Sequence, residues 1–306
     1  MTSTYTLTLG MPHTNRRGFS ETDLMKQAGH CLWQAISSAL GQPLSALRTV
    51  GGGEVYAAFY YIETVIPEVA SLETYQVDDT VKFTISLRAF KNLSIEARVR
   101  VNHAGSSIAA LRATADKKDP APHAADGLDI RFANIFITPL AGNSALKVAP
   151  PAGVDCAALP PLPNAENPFH LTRAAREAGH LELFDPGWLL HDTVSEHSYQ
   201  IDRDRDTNGA GLVYFANYVA FGDLAERMLA TGGGLDSGER SLRHRRIAFY
   251  GNADIDDVLT IRTVVLTRHD RPSQIGFRHT MTRQSDGALI CLTEVVKATE
   301  RAVRVE

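Results

Sequence analysis

"HTNRRGFSETDLM" (His13–Met25) and "DTNGAGLVYFANY" (Asp206–Tyr218) read as one motif written twice. Laying His13-Thr14-Asn15 on Asp206-Thr207-Asn208 puts Gly18 on Gly211, an offset of 193 residues (206 minus 13). Further along, "DDTVKFTISLRAF" from Asp78 resembles "DDVLTIRTVVLTRH" from Asp256, an offset of 178 (256 minus 78). The first half therefore carries about fifteen more residues between its motif and that strand, a length a surface insertion tolerates. These two matches make a weak internal repeat, which reads as two copies of one unit and orders every other reading.

Each half has the same succession of signals. A short opening strand (Thr4–Leu9; His197–Asp202) meets a turn, then a helix (Ser20–Leu40; Leu212–Ala230), then several strands with two-residue alternation. In the first half these are "VYAAFYYIETVI", "TVKFTISLRAF", "LSIEARVRVNH" and "SIAALRATA", with "NIFITPL" adding to them. In the second they are "RRIAFYG", "VLTIRTVVLTRH", "QIGFRHTMTR" and "ALICLTEVVKATE". One long helix followed by an antiparallel sheet, present twice, is an α+β arrangement.

Seven of the 14 prolines lie between Pro139 and Pro168, a composition that cannot continue a helix or a central strand. The expected organisation is an N-terminal domain at 1–145, a proline-rich linker at 146–168 and a C-terminal domain at 169–306. "KKDPAPHAADG" (Lys117–Gly127) reads as a surface loop within the first half. With 44% hydrophobic and 22% charged residues, the chain can bury a full core without disulfides or metals.

A net charge of −4 and only short basic clusters (Arg16-Arg17; Arg243 to Arg246) argue against general nucleic-acid binding. Arginines beside a pocket would still suit the phosphates of a nucleotide-like ligand. Cys31, Cys156 and Cys291 are odd in number and widely spaced, which points to a reduced, cytoplasmic chain. The N-terminus reads as carrying no secretory signal, and nothing calls for a membrane. No metal-ligand spacing, P-loop or dinucleotide fingerprint is present, and "GGG" at 51–53 and 232–234 marks turns.

The strand, the Asp-x-x-Gly-type turn, the long helix and the meandering sheet resemble the hotdog fold. Two such units in one chain resemble a double hotdog, a covalent version of the usual pair, which leaves the oligomeric state open. In the hydroxybenzoyl-CoA thioesterase branch the helix entry is similar to "NGAGLVYFANY" (Asn208–Tyr218), with Ala210, Gly211, Val213, Asn217 and Tyr218 matching directly. The family's catalytic aspartate falls on Asn208, and Asn15 repeats the change. An amide can neither activate water as a base nor attack a thioester as a carboxylate would. Asp206 is displaced from that place by two residues.

Oxyanion stabilisation around Gly211 or Gly18 survives that loss, and decarboxylation of a malonyl-type thioester needs such a site without an acid base. "GMPHTNRRGFSETDLMKQAGHCLW" (Gly10–Trp33), "GGEVYAAFYYIE" (Gly52–Glu63) and the second-half motif resemble the bifunctional acyltransferase/decarboxylase family of leinamycin-type polyketide pathways. That resemblance implies an enzyme that takes methylmalonyl-CoA, acylates a tyrosine, decarboxylates, and passes propionyl to an acyl carrier protein. It implies no cofactor beyond the coenzyme A thioester substrate.

Tyr56 is the best match to the family tyrosine. Strand alternation would put Tyr56 and Tyr60 on one face and Tyr61 on the other. The catalytic candidates are Tyr56, Asn208, Gly211, Asn15 and His13; the substrate-binding candidates are Gly18, Thr207, Tyr214, Asn217 and Tyr60. His13 equally suits a turn cap, the asparagines equally suit helix caps, and Ser20 with Asp23 suits a capping box. Asp223 and Glu226 lie one turn apart on the second helix, as pocket acids or as a solvated face. Two alternatives stay open: a thioesterase recruiting Asp206, Asp223 or Glu226, and a non-catalytic acyl-carrier-binding protein.

Overall fold

The computed structural model describes residues 2–106, 127–140, 145–231 and 240–299. The strand expected at "SIAALRATA" (107–115), the loop up to residue 126 and the glycines at 232–234 lie outside the described residues. The chain divides into two compact units: Met1–Pro139 with Lys147–Asn167, and Leu140–Leu146 with Pro168–Glu306.

In unit 1, β1 (Thr2–Thr8) leads through a two-residue ladder, β2 (Thr14–Asn15) with β3 (Gly18–Phe19), into α1 (Glu21–Leu40). Ser20 caps the helix by accepting from Asp23 N, and Gly41, left-handed at φ 68°, ends it. The strands β4 (Tyr56–Val65), β5 (Asp79–Phe90), β6 (Ser94–Ser106) and β7 (Leu128–Pro139) complete an antiparallel sheet in the order β1-β5-β6-β7-β4. In β5 every second residue is buried, as a half-covered strand requires. Leu24, Ala28, Leu32 and Ile36 make one apolar face of α1. Trp33 meets Phe59, which packs in turn on Phe132.

The register of β4 on β7 shifts between Phe59 and Tyr61. Because Tyr56, Ala58 and Tyr61 pair with Ile137, Ile135 and Ala133, Tyr61 shares the face of Tyr56. The strict alternation expected from the sequence is therefore corrected: one extra residue in a bulge changes the parity of everything beyond it.

A short β8 (Leu146–Val148) opens the proline-rich stretch, and residues 147–167 pack on unit 1 instead of forming a bare connection. Ala89 N donates to Pro160 O (2.9 Å), Leu162 N to Ala89 O (2.7 Å) and Cys156 N to Asn92 Oδ1 (3.0 Å). Glu166 reaches Arg88 at 2.7 Å. Below it the buried Glu96 accepts from Arg88 and Arg131, so the carboxylate taken from water is fully paired.

Unit 2 contains α2 (Phe169–Ala178), β9 (Leu189–Gln200), α3 (Arg203–Asp206), α4 (Asn217–Thr231), β10 (Arg240–Phe249), β11 (Val258–Thr267), β12 (Gln274–Arg283) and β13 (Leu289–Thr299). Its order, β9-β11-β12-β13-β10, is that of unit 1 position for position. The local details repeat too. Asp78 and Asp256 are left-handed (φ 72° and 68°), and the aspartate after each accepts a backbone N–H three residues back. The strand after each helix slips register at the same place, Phe59/Tyr61 and Leu242/His244.

Several boundaries differ from expectation, among them the start of β10 at Arg240 and not Arg245. The opening strand of unit 2 is longer and begins at Leu189. The second helix begins at Asn217 and not at Leu212, because residues 207–216 are closed into a turn by their own hydrogen bonds.

Candidate functional site

The unit 1 turn is built from local bonds. His13 ends a 3-10 turn, where its Nδ1 accepts from Gly10 N (2.8 Å), which fixes the ring as a cap. Asn15 Oδ1 accepts from Arg17 N at 2.7 Å, an Asx turn. Gly18, at φ 120°, lies against the backbone of Leu72 and Glu73. Thr14, Asn15, Arg16, Gly18 and Tyr75 line an open cleft of about 270 Å³, and Arg17 is held beside it by Glu73 at 3.0 Å.

In unit 2, Asn208 Oδ1 accepts from Ala210 N (2.9 Å) and Leu212 N (3.1 Å), while Asn208 O accepts from Gly211 N (2.8 Å). Gly211, at φ 73°, sits six residues before α4, inside this turn and not at the helix N-terminus. Thr207 Oγ1 donates to Arg203 O (2.6 Å). Asn217, the first residue of α4, is buried and donates to the carbonyls of Arg205 and Asp206 at 3.2 Å. Tyr214 N donates to Asp206 O, and burial pushes its phenol up to about 12.

Asp206, 2% exposed, is the hub of the turn. It accepts from Tyr199 Oη, Asp202 N and Arg205 Nε. A carboxylate so fully used organises the chain and offers little to a substrate. Replacing Asn208 with alanine is expected to cost about 1–2 kcal/mol, because two N–H groups lose their acceptor, whereas Asn208→Asp keeps both bonds. Urea denaturation of the two variants distinguishes a turn-holding amide from one that packing alone retains.

The three tyrosines of β4 part company. Tyr56 is half-buried, and its hydroxyl donates to Glu54 Oε2 at 2.5 Å. Tyr60 is buried and donates to Asn167 Oδ1 (2.9 Å), with its phenol pushed strongly upward, first by burial and then by the charge of Glu96. Tyr61 is fully buried. Of the predicted residues, unit 1 thus groups His13, Asn15 and Gly18 in one turn and sets Tyr56 on its own strand with Glu54. Unit 2 groups Thr207, Asn208, Gly211, Tyr214 and Asn217 around Asp206.

Sequence reasoning missed a charged cluster inside unit 2. Lys297 Nζ donates to Asp223 Oδ1 (2.8 Å) and Glu226 Oε2 (2.6 Å), and Arg245 also reaches Asp223 (2.9 Å). His279 Nε2 lies 3.2 Å from Glu226, and its Nδ1 lies 3.0 Å from Thr263 Oγ1. Burial pushes both carboxyls upward, but the Lys297 ammonium, helped by Arg245 at Asp223 and His279 at Glu226, holds them below the usual range. The available signal was charge at Arg245 and His279, whose counterparts in the first half, Ile62 and Val99, are apolar. Asp223 and Glu226 are therefore not a solvated helix face. Among the described residues, no group of three or more His, Cys, Asp and Glu side chains is placed to hold a metal, and no helix is long and apolar enough to cross a membrane.

No family model matches the chain, and no curated protein matches it. Solved structures do. An assigned oleoyl thioesterase from Lactobacillus plantarum superposes with a TM-score of 0.64 at 12% identity, covering 98% of this chain and 97% of that one. A 12:0-ACP thioesterase from Umbellularia californica gives 0.60 at 11% identity, with 98% of both chains covered. An acyl-ACP thioesterase from Bacteroides thetaiotaomicron gives 0.56 at 12%, with 97% of both covered. At such identities the likeness establishes the fold: the chain is an α+β protein of hotdog architecture, with one sheet-and-helix unit in each half.

Proposed function

We propose that this protein is a cytoplasmic enzyme that processes acyl-CoA thioesters, with Tyr56 as the group that carries the acyl chain between coenzyme A and an acyl carrier protein. Its substrate in this reading is methylmalonyl-CoA. The phenol displaces coenzyme A, and the free carboxylate leaves as CO2 with its bonding pair forming an enolate. The α-carbon takes a proton from solvent, and the propionyl group passes to a carrier thiol. Hotdog architecture shared with acyl-ACP thioesterases is consistent with a thioester substrate.

The observation that carries the reading is the setting of Tyr56. It is the only one of the three β4 tyrosines that is not buried, and it is hydrogen-bonded to a carboxylate. The enolate oxygen needs donors. Gly211 N is occupied by Asn208 O, and within unit 1 the amide Nδ2 of Asn15, whose Oδ1 closes a turn, is the candidate for that role.

Intact-protein mass spectrometry after brief exposure to methylmalonyl-CoA tests the reading. A propionyl adduct is expected on the wild type and none on Tyr56→Phe. A second reading is thioester hydrolysis, with Asp223, the more exposed of the two paired carboxylates, as the acid a substrate could reach. Its mark would be free acid formed equally by wild type and Tyr56→Phe. Complete inertness toward acyl-CoA would favour a carrier-binding protein without catalysis.

A further inference from the structure

Glu54 is held by a turn with little freedom. Thr49 N donates to Gly53 O (2.8 Å), Gly52 N to Thr49 O (2.9 Å) and Gly53 N to Thr49 Oγ1 (3.0 Å). Gly52 takes the left-handed conformation (φ 83°) that lets the chain reverse within so few residues. Arg48 and Glu54 are then bridged across the turn, and Val55 N returns to Leu47 O (3.2 Å). In extended chain, side chains two residues apart point the same way, so Glu54 and Tyr56 meet without any bend between them.

We propose that Glu54 is the general base for Tyr56, taking the phenolic proton as the oxygen attacks the thioester carbonyl. This rests on the reading of Tyr56 as the acyl acceptor. In the step, the Tyr56 Oη–carbon bond forms while its proton moves to Glu54 Oε2. The tetrahedral intermediate then expels the coenzyme A sulfur, which takes that proton from Glu54. The products are an aryl ester, a free thiol and the original carboxylate, so charge and protons balance. Transfer to a carrier thiol runs the same sequence backwards.

The electrostatics are consistent with proton removal coupled to attack. The Glu54 hydrogen bond, then burial and then the Glu54 charge raise the Tyr56 phenol above its ordinary value of 10.0, against a smaller opposing pull from Arg48. A free phenolate is therefore rarer here than on an isolated tyrosine, and attack must be coupled to proton removal. The two routes are affected in opposite directions by the loss of Glu54. As a base it accelerates acylation, whereas as a mere neighbour it hinders acylation by suppressing the phenolate.

Rapid-quench mass spectrometry of Tyr56 acylation by methylmalonyl-CoA, in wild type, Glu54→Gln and Glu54→Asp, decides the matter, alongside titration of tyrosine absorbance. Glu54→Gln is expected to slow adduct formation by about 10²–10⁴-fold. At the same time its Tyr56 titration moves down, and Glu54→Asp recovers part of the rate. An adduct formed as fast or faster in Glu54→Gln overturns the role of Glu54 while leaving Tyr56 as acceptor. No adduct on the wild type overturns both. Glu54 is exposed, so the glutamine variant is expected to keep the wild-type melting temperature, which a circular dichroism melt checks.

Discussion

Lys297→Met is expected to destabilise the protein by about 3–5 kcal/mol, the usual consequence of stranding a buried carboxylate, here Glu226. Among the described residues, Lys297 is the only ammonium that touches both Asp223 and Glu226. Without it Asp223 keeps Arg245, and among the described residues Glu226 retains only the imidazole of His279. Most of the loss should therefore be recovered in Lys297→Met/Glu226→Gln, where the stranded charge is gone. Equilibrium urea denaturation of the four species of that cycle measures the coupling. Equal losses in the single and double variants would show that Lys297 matters for packing alone.

The pH dependence follows from the same contacts. Both carboxyls have folded-state values below their ordinary 3.8 and 4.5. Their contribution is thus fully present above that range and is lost as pH falls through it toward the lower folded values. The gap between wild type and Lys297→Met should accordingly narrow on acidification below about pH 4.5.

The fold does not require these charges, because the other unit does without them. Matching the two units by register sets Ile62 against Arg245, Ile85 against Thr263, Val99 against His279 and Asn134 against Lys297. The helix offset sets Trp33 against Glu226. Where unit 1 has three aliphatic side chains, an indole and one buried amide, unit 2 holds an ionic cluster whose desolvation is offset only by its own pairing. Two copies of one architecture therefore differ in their ionisable interior.

The repeat itself was legible because it is written in local chemistry. Left-handed aspartates, turn asparagines and alternating strands act within a few residues, and they appear at matching places in both halves. What was not legible depends on tertiary register. A single slipped residue in β4 moves Tyr61 onto the face of Tyr56, and no alternation pattern signals it. The second helix starts late because Asp206 and Asn208 capture the N–H groups that an earlier helix start would need. Glu54 was visible two residues before Tyr56, but the short bond between them depends on the turn at Gly51–Gly53.

Gly18→Ala is the remaining large effect, expected to cost about 3 kcal/mol by combining left-side backbone strain with overpacking. A Cβ at Gly18 would stand 2.5 Å from Leu72 O and 2.8 Å from Glu73 Cα. Both are backbone atoms, so no side chain can rotate away. The backbone also holds φ 120°, a conformation that disfavours any side chain. Gly41→Ala separates the two causes: Gly41 is left-handed at φ 68°, but nothing lies within 4 Å of its added Cβ. That variant is expected to lose only about 1 kcal/mol. Urea midpoints for the two therefore read the steric contact directly, and equal losses would show that the segment at Leu72–Glu73 yields without cost. A larger loss at Gly18 means that the glycine is fixed by the close approach of two backbone segments, so the cleft beside Asn15 takes its shape from packing before any ligand arrives.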